Sequence, residues 1–242
     1  MKFRKLFAKA LIVTLGFNHF GAVAADREGG VSFGMSTRVI FNEEENKISF
    51  PISNRSNRHY IFQALVLNED LKSYCKDFIV SPEVMHIPSG ERRMAQIIRL
   101  SGIFPKDRET LFYLQGHFLP SSDIKTEKNN SVDVNMSYAI QMKMFFRPSE
   151  LKSGFDAIDK VSDKLEFMTV EDRLIVSNTS PYYITVNTIE MGKHSIVIPD
   201  DKSMIQPFGT VDYELPERYD RKITWTLIND GGYATKPLTR NL

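Results

Sequence analysis

The residues best suited to chemistry in this sequence are four histidines and one cysteine that follow the first 25 positions. The spacing of His59, His86, His117 and His194 matches neither a metal site nor a catalytic base beside a nucleophile. Cys75 is the only cysteine and forms no internal disulfide; we expect a half-buried loop thiol, with a reactive or intermolecular thiol as the alternative. The sequence therefore predicts a protein that is not an enzyme and has no catalytic residues, metal site or cofactor.

Residues 131–148 indicate a different chemistry, the pairing of one β-strand with another. Alternation with a period of two places apolar side chains on one face of a strand. At about 3.3 Å per residue this strand would be roughly 50 Å long, whereas ordinary strands span about 17–20 Å. The apolar residues occupy every even position: Val132, Val134, Met136, Tyr138, Ile140, Met142, Met144 and Phe146.

An apolar face of this length needs a cover. We expect the C-terminal half to pack into the core of its own domain, and the N-terminal half, with Val132, Val134, Met136 and Tyr138, to overhang. A partner sheet that lacks one strand would cover these side chains by pairing with the overhanging half. The alternative is a long hairpin strand that a second sheet of the same molecule covers.

Short alternating or β-branched runs dominate the rest of the chain, and turn residues separate them at roughly ten-residue intervals. This pattern predicts an all-β fold of antiparallel sandwiches. A second series of such runs contains Trp225, the only tryptophan, which we expect in a core. Between the two series, residues 147–160 contain proline, glycine and polar residues that break the alternation, so we predict the junction of two domains there.

The first 25 residues have the pattern of a secretory signal peptide. Basic residues precede a short apolar run, and small residues before Asp26 favour cleavage after Ala24 or Ala25. Loss of four basic residues and no acidic one takes the formal charge from +1 to −3. The mature chain is therefore expected to bind no nucleic acid and to insert into no membrane, and a periplasm is the compartment that fits.

Several segments of the mature chain resemble periplasmic PapD-like pilus chaperones of the chaperone–usher pathway, and the resemblance covers nearly its whole length. It implies two immunoglobulin-like β-sandwich domains, residues 26–148 and 149–242, in a boomerang arrangement with a cleft between them. The matching segments are STRVIF (36–41), FPKDRETLFYLQ (104–115), KMFFRP (143–148), NTSPYYITV (178–186) and INDGG (228–232).

The resemblance also implies roles for single residues in binding. Arg38 and Lys143 match the two basic residues of the cleft that hold the C-terminal carboxylate of a pilus subunit. We expect both side chains to face solvent in the free protein. The resemblance implies that the long strand inserts alternate residues into the open groove of the subunit, and these donor residues are Val134, Met136 and Tyr138, with Val132 as a further one.

Three charged residues match a buried trio that sets the angle between the domains in this family. They are Glu109, Arg147 and Asp230, and three separate surface charges are the alternative. The segment from Pro120 to Lys143 is longer than in the short-loop branch of the family, and IQPFGTVDYELP (205–216) and ITWTLIND (223–230) resemble the long-loop branch. That branch carries a cysteine pair at this hairpin, whereas the corresponding positions here are Gln115 and Gln141.

The function that these features imply is capture of fimbrial or pilus subunits by donor-strand complementation and their delivery to an outer-membrane usher. A free chaperone with an apolar edge can also cap itself as a homo-oligomer, and this alternative stays open. A secreted structural sandwich protein, such as a fibre subunit or adhesin, is the second hypothesis. A secreted enzyme on a sandwich scaffold is the third, disfavoured by the missing catalytic constellation.

Overall fold

The computed structural model describes residues 29–34, 36–121, 137–151 and 156–242. Strands make up 54% of the structure and helices 6%, which confirms the predicted all-β class with two β-sandwich units. The predicted signal peptide, and the predicted donor residues Val132, Val134 and Met136, lie outside the described residues.

The N-terminal unit is a sandwich of two sheets. One sheet has the order β1-β3-β7-β5 and the other the order β2-β9-β8-β4-β6. The strands are β1 (Val31–Phe33), β2 (Arg38–Asn42), β3 (Lys47–Asn54), β4 (Tyr60–Asn68), β5 (Phe78–Ser81), β6 (Val84–Ile87), β7 (Arg92–Arg99), β8 (Thr110–Pro120) and β9 (Tyr138–Arg147).

The core of this unit follows directly from the alternation of its strands. In β4, Tyr60, Phe62, Ala64 and Val66 point between the sheets and are buried, while the residues between them face outward. Aromatic rings dominate the space between the sheets, and Phe62 lies 4.8 Å from Phe118 between ring centroids. Burial of one such ring contributes about 1.5–3 kcal/mol, and tilted ring pairs add to this.

The chain changes sheets near its start, and this change places β2 beside β9. β1 pairs with β3 in one sheet, whereas β2 pairs in parallel with β9 in the other. Between them Gly34 has a φ of +90°, and a Cβ atom there would overlap the side chain of Met142. Glycine is favoured at this position because the positive φ would strain any other residue, and the end of the Met142 side chain would also have to move.

The C-terminal unit is a second, smaller sandwich. One sheet has the order β10-β11-β15; the other has the order β13-β12-β16-β17, with β14 also on β12. Its elements are helix α1 (Ala157–Val161), short 3-10 turns at Ser162–Lys164 and Asp200–Lys202, and the strands β10 (Leu165–Val170), β11 (Arg173–Asn178), β12 (Ile184–Met191), β13 (His194–Ser195), β14 (Met204–Ile205), β15 (Thr210–Glu214), β16 (Lys222–Ile228) and β17 (Leu238–Asn241).

The core of the C-terminal unit contains Trp225, as the sequence predicts. Its side chain is 2% exposed, and the indole Nε1 donates a hydrogen bond of 2.9 Å to the carbonyl of Ser162. Cys75, in the N-terminal unit, is more buried than expected, at 9% exposed. Among the described residues, no helix has the length and apolar character needed to cross a membrane.

Candidate functional site

The cleft between the two units is organised by the parallel pairing of β2 and β9. In this pairing the first residue of β2, Arg38, lies directly opposite Lys143. The rest of β2 pairs with β9 as far as Arg147. Before Lys143, from Tyr138 to Met142, β9 pairs with β8 on one side and has no partner strand on the other within the described part of the chain. A free strand edge therefore begins where the two basic residues meet.

Arg38 is buried against the C-terminal unit. Its side chain is 7% exposed, and its guanidinium lies 5.7 Å from the ring centre of Phe145. Nη1 donates to the carbonyl of Ile228 and Nη2 to Oγ1 of Thr185, both at 3.4 Å, which is long for a hydrogen bond. Nε is buried and has no hydrogen-bond partner among the described residues. The expectation that Arg38 faces solvent is therefore wrong, because β12 and β16 cover it.

Arg38 also borders a cavity, which neither Lys143 nor Thr185 lines. The cavity has a volume of about 580 Å³ and extends along β2 to the turn containing Asp230 and Tyr233. Burial lowers the pKa of Arg38, while the charges of Asp230 and Glu109 oppose that change. The guanidinium is thus a desolvated cation with weak contacts and adjoining space, which is the state that an incoming carboxylate would stabilise.

Lys143 is the second cation of the cleft. It is half-buried rather than solvent-facing, and it lies opposite Tyr113 on β8. Burial lowers the pKa of its ammonium group, and the neighbouring charge of Arg38 lowers it further. Two adjacent, partly desolvated cations repel each other, so an anion bound between them would stabilise both.

Glu109, Arg147 and Asp230 form one buried ion network between the units. Arg147 is 1% exposed, and its Nε donates to Oε1 of Glu109 at 2.9 Å. Its two terminal nitrogens donate to both carboxylate oxygens of Asp230, at 2.8 and 3.1 Å. The other Glu109 oxygen accepts the backbone N–H of Tyr183 at 2.8 Å. The structure therefore excludes the alternative of three separate surface charges.

Burial is also the main influence on Glu109. It raises the pKa of this carboxyl to about 7, although Arg147 and the backbone N–H of Tyr183 act in the opposite direction. The same residue connects the units through its backbone, because its N–H donates to the carbonyl of Pro181 at 3.0 Å. Glu109 thus joins the beginning of β8 to the segment between β11 and β12 by side chain and main chain together.

A glycine turn of the C-terminal unit packs against the start of β2. The hydroxyl of Ser36 donates to the carbonyl of Gly231 at 3.2 Å. Gly232 has a φ of +82°, and a Cβ there would lie 2.6 Å from Oγ1 of Thr37. Only glycine allows this close approach, which brings the second unit over the residue that follows, Arg38.

The even positions of β9 change their environment along the strand. Met142, Met144 and Phe146 are 7%, 0% and 1% exposed and belong to the core of the N-terminal unit. Tyr138 is 39% exposed, and its ring centre lies 6.1 Å from that of Tyr60. Tyr138 is therefore partly covered by its own molecule, which corrects the expectation that its side chain overhangs without contacts there.

Sequence reasoning missed several contacts because they join residues far apart in the chain. The contacts of Thr185 and Ile228 with Arg38 carried no signal that spacing could reveal. The rings of His59 and His86 stack with centroids 5.5 Å apart. No group of three or more histidine, cysteine or acidic side chains in the described residues could hold a metal ion.

Matches to family models cover both units of the chain. The model of the Pili and flagellar-assembly chaperone, PapD N-terminal domain, matches residues 34–152. The model of the Pili assembly chaperone PapD, C-terminal domain, matches residues 160–238. Among curated proteins, the chain is 30% identical over 213 residues to a probable fimbrial chaperone protein ElfD of Escherichia coli O157:H7, which covers 87% of this chain and 86% of that protein.

Another relative, the chaperone protein PsaB of Yersinia pestis, is 30% identical over 222 residues, with 83% of this chain and 80% of that protein covered. The fold is similar to the crystal structure of the E. coli chaperone DraB, with a TM-score of 0.75 and 28% identity over 88% of this chain and 98% of that one. It is also similar to a chain from the Salmonella enterica SafA pilin in complex with the SafB chaperone, with a TM-score of 0.76 and 25% identity over 88% of this chain and 96% of that one. The chain belongs to the PapD family of pilus-assembly chaperones.

Proposed function

We propose that this protein is a periplasmic chaperone that captures fimbrial subunits by donor-strand complementation and delivers them to an outer-membrane usher. The family membership supports this function, since similar proteins are named fimbrial chaperones and one similar structure is described as a pilin–chaperone complex. These relatives do not favour the alternative of a fibre subunit or adhesin. The activity proposed is binding rather than catalysis.

The observation that carries the proposal is the free edge of β9 beside Arg38 and Lys143. A strand that pairs with Tyr138 to Met142 would lie in line with β2, ahead of its first residue. If it runs parallel to β9, as β2 does, its C-terminus arrives at Arg38 and Lys143. If it runs antiparallel, its C-terminus lies at Tyr138, about 16 Å away at 3.3 Å per residue. The position of the cations therefore selects a parallel strand with a free carboxylate at its end.

The charged residues of the cleft fall into a structural set around Arg147 and a binding set, Arg38 and Lys143. Both carboxylates near Arg147 already bind it, so neither neutralises Arg38 at hydrogen-bond distance. Arg38 and Lys143 therefore remain to bind an external carboxylate. Each hydrogen bond from a cation to an ionised group contributes about 1.5–3 kcal/mol, and the forked arginine adds directional control.

The carboxylate anchor also fixes the register of the bound strand. A slip by one residue would turn every alternate side chain of the donor strand to the wrong face. We propose that Tyr138, Met136, Val134 and Val132 are the side chains that enter the groove of the subunit. Burial of four such side chains would contribute on the order of 6–12 kcal/mol before the cost of ordering them.

The remaining assignments complete the proposal. Residues 1–25 act as the signal peptide, residues 26–148 form the domain that donates the strand, and residues 149–242 form the second domain. Glu109, Arg147 and Asp230 fix the angle between them, which the burial of all three side chains supports. Export by the signal peptide would bring the chaperone to the periplasm, where it would meet the exported subunits and the periplasmic face of the usher.

The test compares Lys143→Met with Lys47→Met in co-expression with a fimbrial subunit that the unmodified chain retains in affinity purification. Lys143 lies opposite Arg38, where the free edge ends, whereas Lys47 is an exposed lysine on β3, in the other sheet. We expect the Lys143 variant to fold normally and to lose the subunit in affinity purification, while the Lys47 variant retains it. Recovery of the subunit at an unchanged yield with folded Lys143→Met would contradict the proposal.

A further inference from the structure

Thr185 stands at the point where the C-terminal unit meets the guanidinium of Arg38. Its Oγ1 accepts a hydrogen bond from Nη2 of Arg38 at 3.4 Å. The backbone of Thr185 is fixed independently of its side chain, because it pairs with Ile228 on β16 and with Met204 on β14. The hydroxyl is therefore held by a rigid element of the second unit, and the cation that it contacts belongs to the first.

Two hydrogen-bond donors remain available at this contact, the hydroxyl of Thr185 and Nε of Arg38. A hydroxyl that accepts from a guanidinium keeps its own hydrogen, which it can donate to another acceptor. Nε of Arg38 is buried and has no hydrogen-bond partner among the described residues. Nε and Nη2 form the edge of a guanidinium that binds a carboxylate in a forked manner, and Nη2 is the nitrogen that contacts the Thr185 hydroxyl.

We propose that Thr185 is a third member of the carboxylate anchor, which positions Arg38 and donates its hydroxyl hydrogen to the bound carboxylate. This inference rests on the proposed function, and it extends the anchor from the N-terminal unit to both units. Its consequence is that the position of the second unit decides how well the terminus of the subunit is held. The ion network of Arg147 would then influence binding through Thr185 without touching the subunit.

The probe is a synthetic peptide that alternates valine with serine, prepared once with a C-terminal acid and once with a C-terminal amide. Binding of both forms is measured to the unmodified chain and to Thr185→Val, Thr185→Ser and Thr188→Val. Valine has the shape of threonine without the hydroxyl, and serine restores the hydroxyl. Thr188 is an exposed threonine on the same strand and serves as the matched control.

The unmodified chain is expected to bind the acid more tightly than the amide. Thr185→Val should lose about tenfold in affinity for the acid, the loss expected for one hydrogen bond to a charged group, and little for the amide. Thr185→Ser and Thr188→Val should keep the preference. If Thr185 mattered only for folding, Thr185→Val would weaken the binding of both peptides equally. The preference for the acid over the amide therefore distinguishes a role in holding the carboxylate from a role in stability.

The outcomes distinguish this inference from the function on which it rests. If the unmodified chain binds acid and amide equally, the carboxylate anchor is wrong, and the role of Thr185 with it. If the unmodified chain prefers the acid and folded Thr185→Val keeps that preference in full, the anchor stands and the role of Thr185 is wrong. Equal weakening of both peptides by Thr185→Val also contradicts the inference.

Discussion

Two arginines of the cleft, Arg147 and Arg38, are almost equally buried and yet differ in how their charges are satisfied. Arg147 is 1% exposed and binds both oxygens of Asp230 and one of Glu109. Arg38 is 7% exposed, and its hydrogen bonds go to one carbonyl and one hydroxyl at 3.4 Å. The difference teaches that burial alone does not identify a binding residue. Arg38, which has no carboxylate partner among the described residues, is the arginine that can bind an external carboxylate.

The largest expected effect on stability comes from removal of a carboxylate that binds Arg147. Asp230→Ala removes the bidentate partner of Arg147 and leaves a buried cation with one carboxylate. Removal of one member of a buried ion pair costs about 3–5 kcal/mol, so the free energy of unfolding should fall by an amount of that order in urea titrations. The exposed Asp172→Ala serves as the control. A stability equal to that of the control variant would contradict the view that this network holds the two units together.

A second test uses the pH dependence of stability, because Glu109 has a raised pKa. The group titrates at about 7 in the folded protein and has an ordinary value of 4.5. Between about pH 4.5 and about pH 7 the folded state therefore carries a proton on Glu109 that the unfolded state lacks. The contribution of this proton to the free energy of unfolding is fully present below about pH 4.5 and is lost as the pH rises through about 7.

Glu109→Gln removes this titration. Arg38 has no such carboxylate partner among the described residues, so this test concerns Arg147 alone of the two arginines. We expect the free energy of unfolding to decline less between about pH 5 and about pH 8 in the variant than in the unmodified chain. The exposed Glu190→Gln should keep the original slope. Identical slopes for Glu109→Gln and the unmodified chain would show that Glu109 stays ionised across this range.

The smallest expected effect on stability belongs to the binding arginine. Arg38→Met replaces a cation that has weak contacts with an apolar side chain that can fill the same space. We expect the free energy of unfolding to change by no more than about 1 kcal/mol, while affinity purification no longer recovers a co-expressed subunit. A loss of stability as large as that of Asp230→Ala would erase the distinction between the two arginines.

Much of the fold and part of the site can be predicted from the sequence. The alternation in β4 and β9 is local, so the order of residues within each strand is enough to identify which side chains share a face. Five spaced motifs indicate the family, which the matches over both units confirm. The motifs also indicated Gln115 and Gln141 as the hairpin pair, and these residues lie opposite each other on β8 and β9.

Other features could not be predicted because they depend on contacts between distant segments. The sequence places Arg38 at the start of a strand, but its burial comes from β12 and β16, which lie about 150–190 residues further along. The partial cover of Tyr138 comes from Tyr60 on another strand. Periodicity states which side chains point the same way, and it carries no information about what lies in front of them.

The sequence by itself determined the two series of strands, the alternating apolar face of β9 and the positions of the charged residues. The tertiary structure decided which charges neutralise one another and which are left over. The physical reason is that the free energy of a charge depends on its solvent and on its nearest partners. The packing of one unit on the other sets the solvent exposure and the partners of each charge, and the local sequence does not specify that packing.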